Sequence, residues 1–283
     1  MMRKLVSLLL TVLLVAALST AAFASVAGQN KGDLPQVDAT MTLDGKKDAA
    51  YADAFTLSFN RSNENNPTDE KAKAYLVWTD GTDTDYIWCY VEVKDADITA
   101  GAGEFYAVDS VEFFLNFENS DADTDIYQHI IDASGRMSEY SGPKSIDIRI
   151  DGALDQVGTV SGGGVDYFSG CATQTADGYA VEFRVPCSLS AGQEVAYCMT
   201  IHDLPSWAWY ICEGSLPFVN WNAGCFDYMT VKALPTQQPD QPSQPSQPSQ
   251  PDNPSTGDSA LLAVAIACVA SAGIVLTVGK KRA

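Results

Sequence analysis

The side chains best suited to chemistry lie in one short run, YAVDSVEFFLN, residues 106–116. Val111, Phe113 and Leu115 recur at every second position, as on the buried face of a β-strand. The alternate face carries Ser110, Glu112, Phe114 and Asn116, with Tyr106 and Asp109 just upstream. An acid, a ring and an amide side by side suit a sugar. Sugars present apolar C–H faces that rings can cover and hydroxyls that acids and amides can bond. Gln128 and the late tryptophans Trp207, Trp209 and Trp221 add the same residue types. Composition does not bring these residues together, and rings in a β-domain also fill cores.

Other chemistries have thinner support. The chain has two histidines, His129 and His202. It has no H-E-x-x-H, no G-x-S-x-G and no P-loop, since Gly162 to Gly164 lack the Lys-Ser/Thr that would hold phosphate. His202 beside Asp203 could orient an imidazole, but no nucleophile motif accompanies it. The expectation is a protein that is not an enzyme. In DADTD, residues 121–125, Asp121, Asp123 and Asp125 alternate in a turn, a spacing of hard oxygen ligands that suits calcium. It is not an EF-hand, because Ile126 stands where Gly is required and Asp132 where Glu is. DGTDTD, residues 80–85, is similar, and the alternative for both is a solvated hairpin loop. No cofactor is required by the sequence; calcium is the one that its acids would suit.

The elements that must position these residues read as strands. Apolar and aromatic runs at 72–78, 86–93, 110–117, 126–132, 145–150, 178–185, 194–201 and 226–231 alternate with period two. Asp, Gly and Asn clusters separate them, and no long helical stripe appears. Residues 34–233 are therefore expected to form one all-β domain, an antiparallel β-sandwich of jelly-roll type. The six cysteines in this block, Cys89, Cys171, Cys187, Cys198, Cys212 and Cys225, fit either disulfides outside the cell or buried thiols.

The chain ends point outside the cell. Residues 1–24 have a basic start, an apolar run and small residues at Ala22 and Ala24, as in a cleaved signal peptide. Residues 234–258 are rich in Pro, Gln and Ser and read as an extended linker. Residues 260–279 are apolar or small throughout, long enough for a transmembrane helix, and the basic tail 280–283 would stay cytoplasmic. The formal net charge is −19, and all 36 acids lie between the apolar ends. So anionic a domain would repel phosphate backbones, which excludes nucleic acid as a partner.

Two resemblances extend this reading. NPSTG (253–257), followed by an apolar span and a basic tail, resembles the cell-wall sorting signals of Gram-positive bacteria, with Asn253 where Leu is usual. The resemblance implies cleavage by a sortase between Thr256 and Gly257 and attachment of Thr256 to peptidoglycan; the alternative is a simple membrane anchor. The block itself resembles carbohydrate-binding module family 9 and its DOMON-like relatives. TLDGKKDAAY (42–51), AYLVWTD, YIWCYVEVKDADI, YAVDSVEFFLN, GYAVEFRVPCSL and WNAGCFDYMTV match the family's segments in order. In that family two rings clamp a sugar and nearby acids and amides bind its hydroxyls. The resemblance implies Tyr106 (where Trp is usual) and Trp221 as the rings. Glu112, with Asp109, Gln128 and His129 as neighbours, would serve the hydroxyls. A polysaccharide or glycan is then the expected ligand. A surface adhesin without sugar binding is one alternative. A haem-binding DOMON-type redox domain using Met199 with His202 or His129 is another.

Overall fold

The computed structural model describes residues 28–62, 66–142, 146–205, 208–212 and 222–234. They form fourteen strands. These are β1 (Asn30–Pro35), β2 (Phe55–Ser62), β3 (Pro67–Thr79), β4 (Asp85–Lys94), β5 (Ser110–Asn116), β6 (Tyr127–Asp132) and β7 (Met137–Ser141). They continue as β8 (Ile146–Ile150), β9 (Gly158–Gly162), β10 (Val165–Gln174), β11 (Gly178–Cys187), β12 (Glu194–Asp203), β13 (Ala208–Cys212) and β14 (Asp227–Lys232). Their order is β8-β7-β6-β5-β12-β13-β2-β3-β4-β11-β10-β9, with β14 on β12 and β1 on β14. Neighbours are antiparallel except β1 and β14. The all-β antiparallel expectation holds, in a nearly closed form.

The sheet folds over so that its two halves face each other across one core. Phe113 of β5 meets Phe183 of β11 with ring centroids 5.8 Å apart. Val111 and Leu115 join them, with Val195, Tyr197, Met199 and Ile201 of β12 and Ile87, Cys89, Val91 and Val93 of β4. Each set lies at alternate positions, as strands with one buried face require. The ends of the strand order approach each other because β9 is small where β8 is large. A Cβ on Gly162 would lie 2.8 Å from Ile148, and one on Gly158 would lie 3.4 Å from Ile150 and 2.3 Å from Met137.

The outer face of β3, β4 and β11 is also covered. Tyr51, Val77, Trp88, Tyr90 and Ala180 are buried there beneath Val37, Met41 and Leu43. Glu182 of β11 is fully buried under the same segment. It accepts hydrogen bonds from the Tyr51 hydroxyl (3.1 Å) and the backbone N–H groups of Asp44 (3.0 Å) and Gly45 (3.1 Å). The segment TLDGKKDAAY is thus a lid stitched to a buried carboxylate.

Cys89, Cys171, Cys187 and Cys225 are free thiols, so the disulfide expectation fails for these four. Among the described residues no helix is long and apolar enough to cross a membrane. The signal peptide (1–24), the linker with Thr256 and Gly257, the apolar span 260–279 and the basic tail lie outside the described residues.

Candidate functional site

The outer face of β6, β5, β12 and β13 carries a polar cluster set by strand register. Glu112 pairs with Thr200 on one side and Ile130 on the other, while Phe114 pairs with Gln128 and His202 with Trp209. Directly opposed residues share a face. Glu112, Gln128, Thr200, His202 and Trp209 therefore project on one side. Glu112 Oε1 accepts from Gln128 Nε2. Its Oε2 accepts from Thr200 Oγ1 at 2.9 Å and faces His202 Nε2 at 3.0 Å. The His202 ring lies 4.8 Å from the Trp209 ring, inclined at 33°.

Burial alone would push the Glu112 carboxyl up, but the bonds from His202, Gln128 and Thr200 outweigh it and hold the group below the ordinary glutamate value. An anionic oxygen pair is thereby kept fixed on a sheet face beside an indole. Thr200 and His202 were not read from the sequence as sugar-site residues. Their signal is the alternation in CMTIHD, where Thr200 and His202 follow the apolar Ala196 and Cys198 on one face of β12.

The rest of the alternate face of β5 does other work. Phe114 packs on Ile126, Ala196, Cys198 and Phe226 in a small second core. Asn116 donates to the Ser120 carbonyl at 3.1 Å and accepts from the Glu118 N–H at 3.1 Å, closing the turn after β5. Ser110 donates to the Phe105 carbonyl at 2.9 Å and so ties the 3-10 turn Phe105–Ala107 to the start of β5. Tyr106 belongs to that turn. Trp207 and Trp221 lie outside the described residues.

Two expected sugar contacts are corrected. His129 pairs with Phe113 and so lies on the inner face, packed between Phe113 and Phe168, with Nδ1 on Glu139. It faces away from Glu112. Asp109 is fully buried, and both its oxygens are committed to backbone: Oδ1 to Leu204 N–H (2.6 Å) and Oδ2 to Thr99 N–H (2.5 Å). These bonds frame the loops Thr99 and Leu204 belong to, away from the Glu112 cluster.

The haem alternative loses its geometry as well. Met199 lies in the core, opposite Phe113, whereas His202 lies on the outer face of the same strand. His129 shares the inner face with Met199, but Phe113 stands between them.

The acids of the turn before β6 have protein partners of their own. Asp123 accepts from the Ala223 N–H (2.9 Å) and so pins this turn to the one before β14, while Asp125 accepts from the Ser120 hydroxyl (2.5 Å) within its own loop. Among the described residues the acids that converge are Asp95, Asp109 and Asp203, not Asp121, Asp123 and Asp125.

Comparison with known proteins bears on the family and the fold. The profile of the family described as carbohydrate family 9 binding domain-like matches residues 43–206. A carbohydrate-binding module of family 9 from Caldicellulosiruptor kristjanssonii, solved with cellotriose, is 17% identical. The match covers 73% of this chain and 96% of that one, with a TM-score of 0.51. A family 9 module from the same organism, solved with glucose, is 17% identical over 75% of this chain and all of that one, with a TM-score of 0.49. A Bacteroides uniformis protein described as a putative carbohydrate-binding protein is 13% identical over 73% of this chain and 100% of that one, with a TM-score of 0.46. These likenesses are of fold. No curated protein matches the chain.

Proposed function

Because the chain belongs to the carbohydrate family 9 binding domain-like family, we propose that its β-domain is a non-catalytic module that binds a glycan on the outer face of β6, β5, β12 and β13. Tyr106 and Trp221 supply the stacking rings, and Glu112 and Gln128 supply hydroxyl contacts. Thr200 and His202 hold the Glu112 carboxylate on the same face, and Trp209 packs against His202. The observation that carries the reading is the buried, ionised Glu112, held by three side chains on a sheet face. Gln128, Thr200 and His202 offset the cost of burying that carboxylate and fix its oxygens, and the part-buried Gln128 is the edge at which a sugar hydroxyl meets the pair.

The reading extends to display. The signal peptide exports the domain, the linker holds it away from the envelope, and a sortase joins Thr256 to peptidoglycan. One shallow site binds weakly, and many copies on one surface raise avidity.

Calorimetric titration of the purified full-length chain with glucose, cello-oligosaccharides and xylo-oligosaccharides tests the binding. At least one should give heat, and Glu112→Gln and Trp221→Ala should each weaken it. If no sugar gives heat and neither variant alters polysaccharide pull-down, the module is a protein-contacting scaffold instead. Cell fractionation of wild type and Thr256→Ala tests the anchoring: loss of wall-bound protein is expected in the variant, and unchanged wall attachment rejects sortase linkage.

A further inference from the structure

Asp95, Asp109 and Asp203 each bring one carboxylate oxygen to a common place, all within 4.8 Å of one another. They come from distant parts of the chain: the residue after β4, the residue before β5 and the end of β12. Three like charges so close repel, the more so when buried. The side chains of Asp95 and Asp203 are only 5% and 12% exposed. Three hard oxygens are also a donor set for a divalent cation.

A cation of the chain's own already stands there. Lys71 Nζ lies 2.9 Å from Asp203 Oδ1 and 3.7 Å from Asp95 Oδ1, on a side chain 14% exposed. Lys71 belongs to β3, so its ammonium joins β3 to the ends of β4 and β12. A lysine provides a compact point charge on a flexible stem, with three donors. Asp109, the third acid, is held by the Thr99 and Leu204 N–H groups.

The cluster also borders the proposed sugar site in sequence. Asp203 follows His202 directly, and Asp109 directly precedes the strand that carries Glu112.

We propose that the Lys71 ammonium is the resident cation of this carboxylate cluster, occupying the place a divalent metal would take and making the assembly of the adjoining site independent of calcium. Only its consequence for ligand affinity rests on the sugar-binding reading; the ion and stability measurements stand without it.

The Tyr210 ring lies 5.6 Å from Lys71 Nζ, close enough to sensitise terbium placed where the ammonium now stands. Full-length wild type, Lys71→Met, Lys71→Arg and the double variant Lys71→Met/Asp95→Asn are compared by tyrosine-sensitised terbium luminescence and by thermal unfolding with calcium or a chelator. Lys71→Met is expected to gain luminescence over wild type, and the double variant to lose that gain. Lys71→Met should melt roughly 5–10 °C lower in chelator, as expected for a part-buried pair broken on one side, and should recover with calcium. Lys71→Arg should behave as wild type. Where a sugar ligand is in hand, Lys71→Met should weaken it about tenfold, with calcium restoring it.

A wild-type melting temperature that falls in chelator overturns the proposal, since the cluster would then be a metal site despite Lys71. So does a Lys71→Met chain that neither gains luminescence nor recovers with calcium, since Lys71 would then be an ordinary ion pair.

Discussion

Replacing Tyr51 with Phe tests the buried carboxylate under the lid. The variant keeps the ring, which is 1% exposed and 5.9 Å from Tyr90, and removes one of the three donors to Glu182. A hydrogen bond to a charged group contributes about 1.5–3 kcal/mol and one to a neutral group about 0.5–1.5 kcal/mol. The cost of Tyr51→Phe therefore depends on the protonation of Glu182. Burial raises its carboxyl to about 7, with the Asp44, Tyr51 and Gly45 donors pulling it back. A raised carboxyl means that the folded state holds its proton to higher pH than the unfolded state does. The associated stability is fully present below the ordinary glutamate value and is lost as pH rises through about 7. Removing a donor raises the group further, so the variant goes on losing stability above the pH at which wild type levels off. At ~2–4 °C per kcal/mol for a domain of this size, Tyr51→Phe should melt about 3–12 °C below wild type at pH 8.5 and roughly half as far below at pH 5.5. Circular dichroism melts at the two pH values measure this. Equal shifts at both would show that the hydroxyl does not serve an ionisable Glu182, and the lid argument would fail.

Three further outcomes follow from the same geometry. Gly45→Ala places a side chain at φ +74° with its Cβ 2.4 Å from Thr173 Cγ2, so it should cost about 1–3 kcal/mol in chemical denaturation. Phe113→Ala opens the centre of the core opposite Phe183 and should cost about 3–5 kcal/mol in the same assay. The thiols of Cys89 and Cys171 are buried, and burial pushes both up from the ordinary cysteine value. They should resist alkylation in the native protein and react fully in denaturant, which mass spectrometry of labelled peptides can follow; rapid native labelling of either would contradict the packing.

The strands legible in the sequence are those with strong period-two alternation. The runs at 86–93, 178–185 and 194–201 fall within β4, β11 and β12. Of those that escaped notice, β2 was missed despite the alternation of Phe55, Leu57 and Phe59, whereas three others lack that contrast. β1 contains Gly32 and Pro35, β10 is diluted by Ser169, Gly170 and Ala172, and β9 is GTVSG. The closure that depends on β9 was invisible for the same reason: its glycines matter through the Ile148 and Ile150 side chains they admit from a strand distant in the pairing order.

The candidate site shows a sharper limit. Val111, Phe113 and Leu115 announce their face, because nothing on the other side of β5 is as uniformly apolar. In β6 either parity carries an isoleucine, so YQHIID does not say whether His129 or Gln128 joins Glu112. Only the pairing of Phe113 with His129 decides it, and that pairing is a property of two strands. Asp109 is legible as a singular acid, but its partner Leu204 lies 95 residues away. Its role in holding loops could not be told from a role in holding ligand. Local sequence therefore specifies which side chains of β5 leave the core, while register determines their company. The alternate face of β5 divides accordingly: Ser110 ties down the turn bearing Tyr106, Glu112 enters the polar cluster, Phe114 builds a second core and Asn116 closes a turn. A strand buried on both faces can keep a carboxylate only where neighbouring strands supply donors at the same level. Thr200, His202 and Gln128 meet that condition at Glu112 and at no other position of β5.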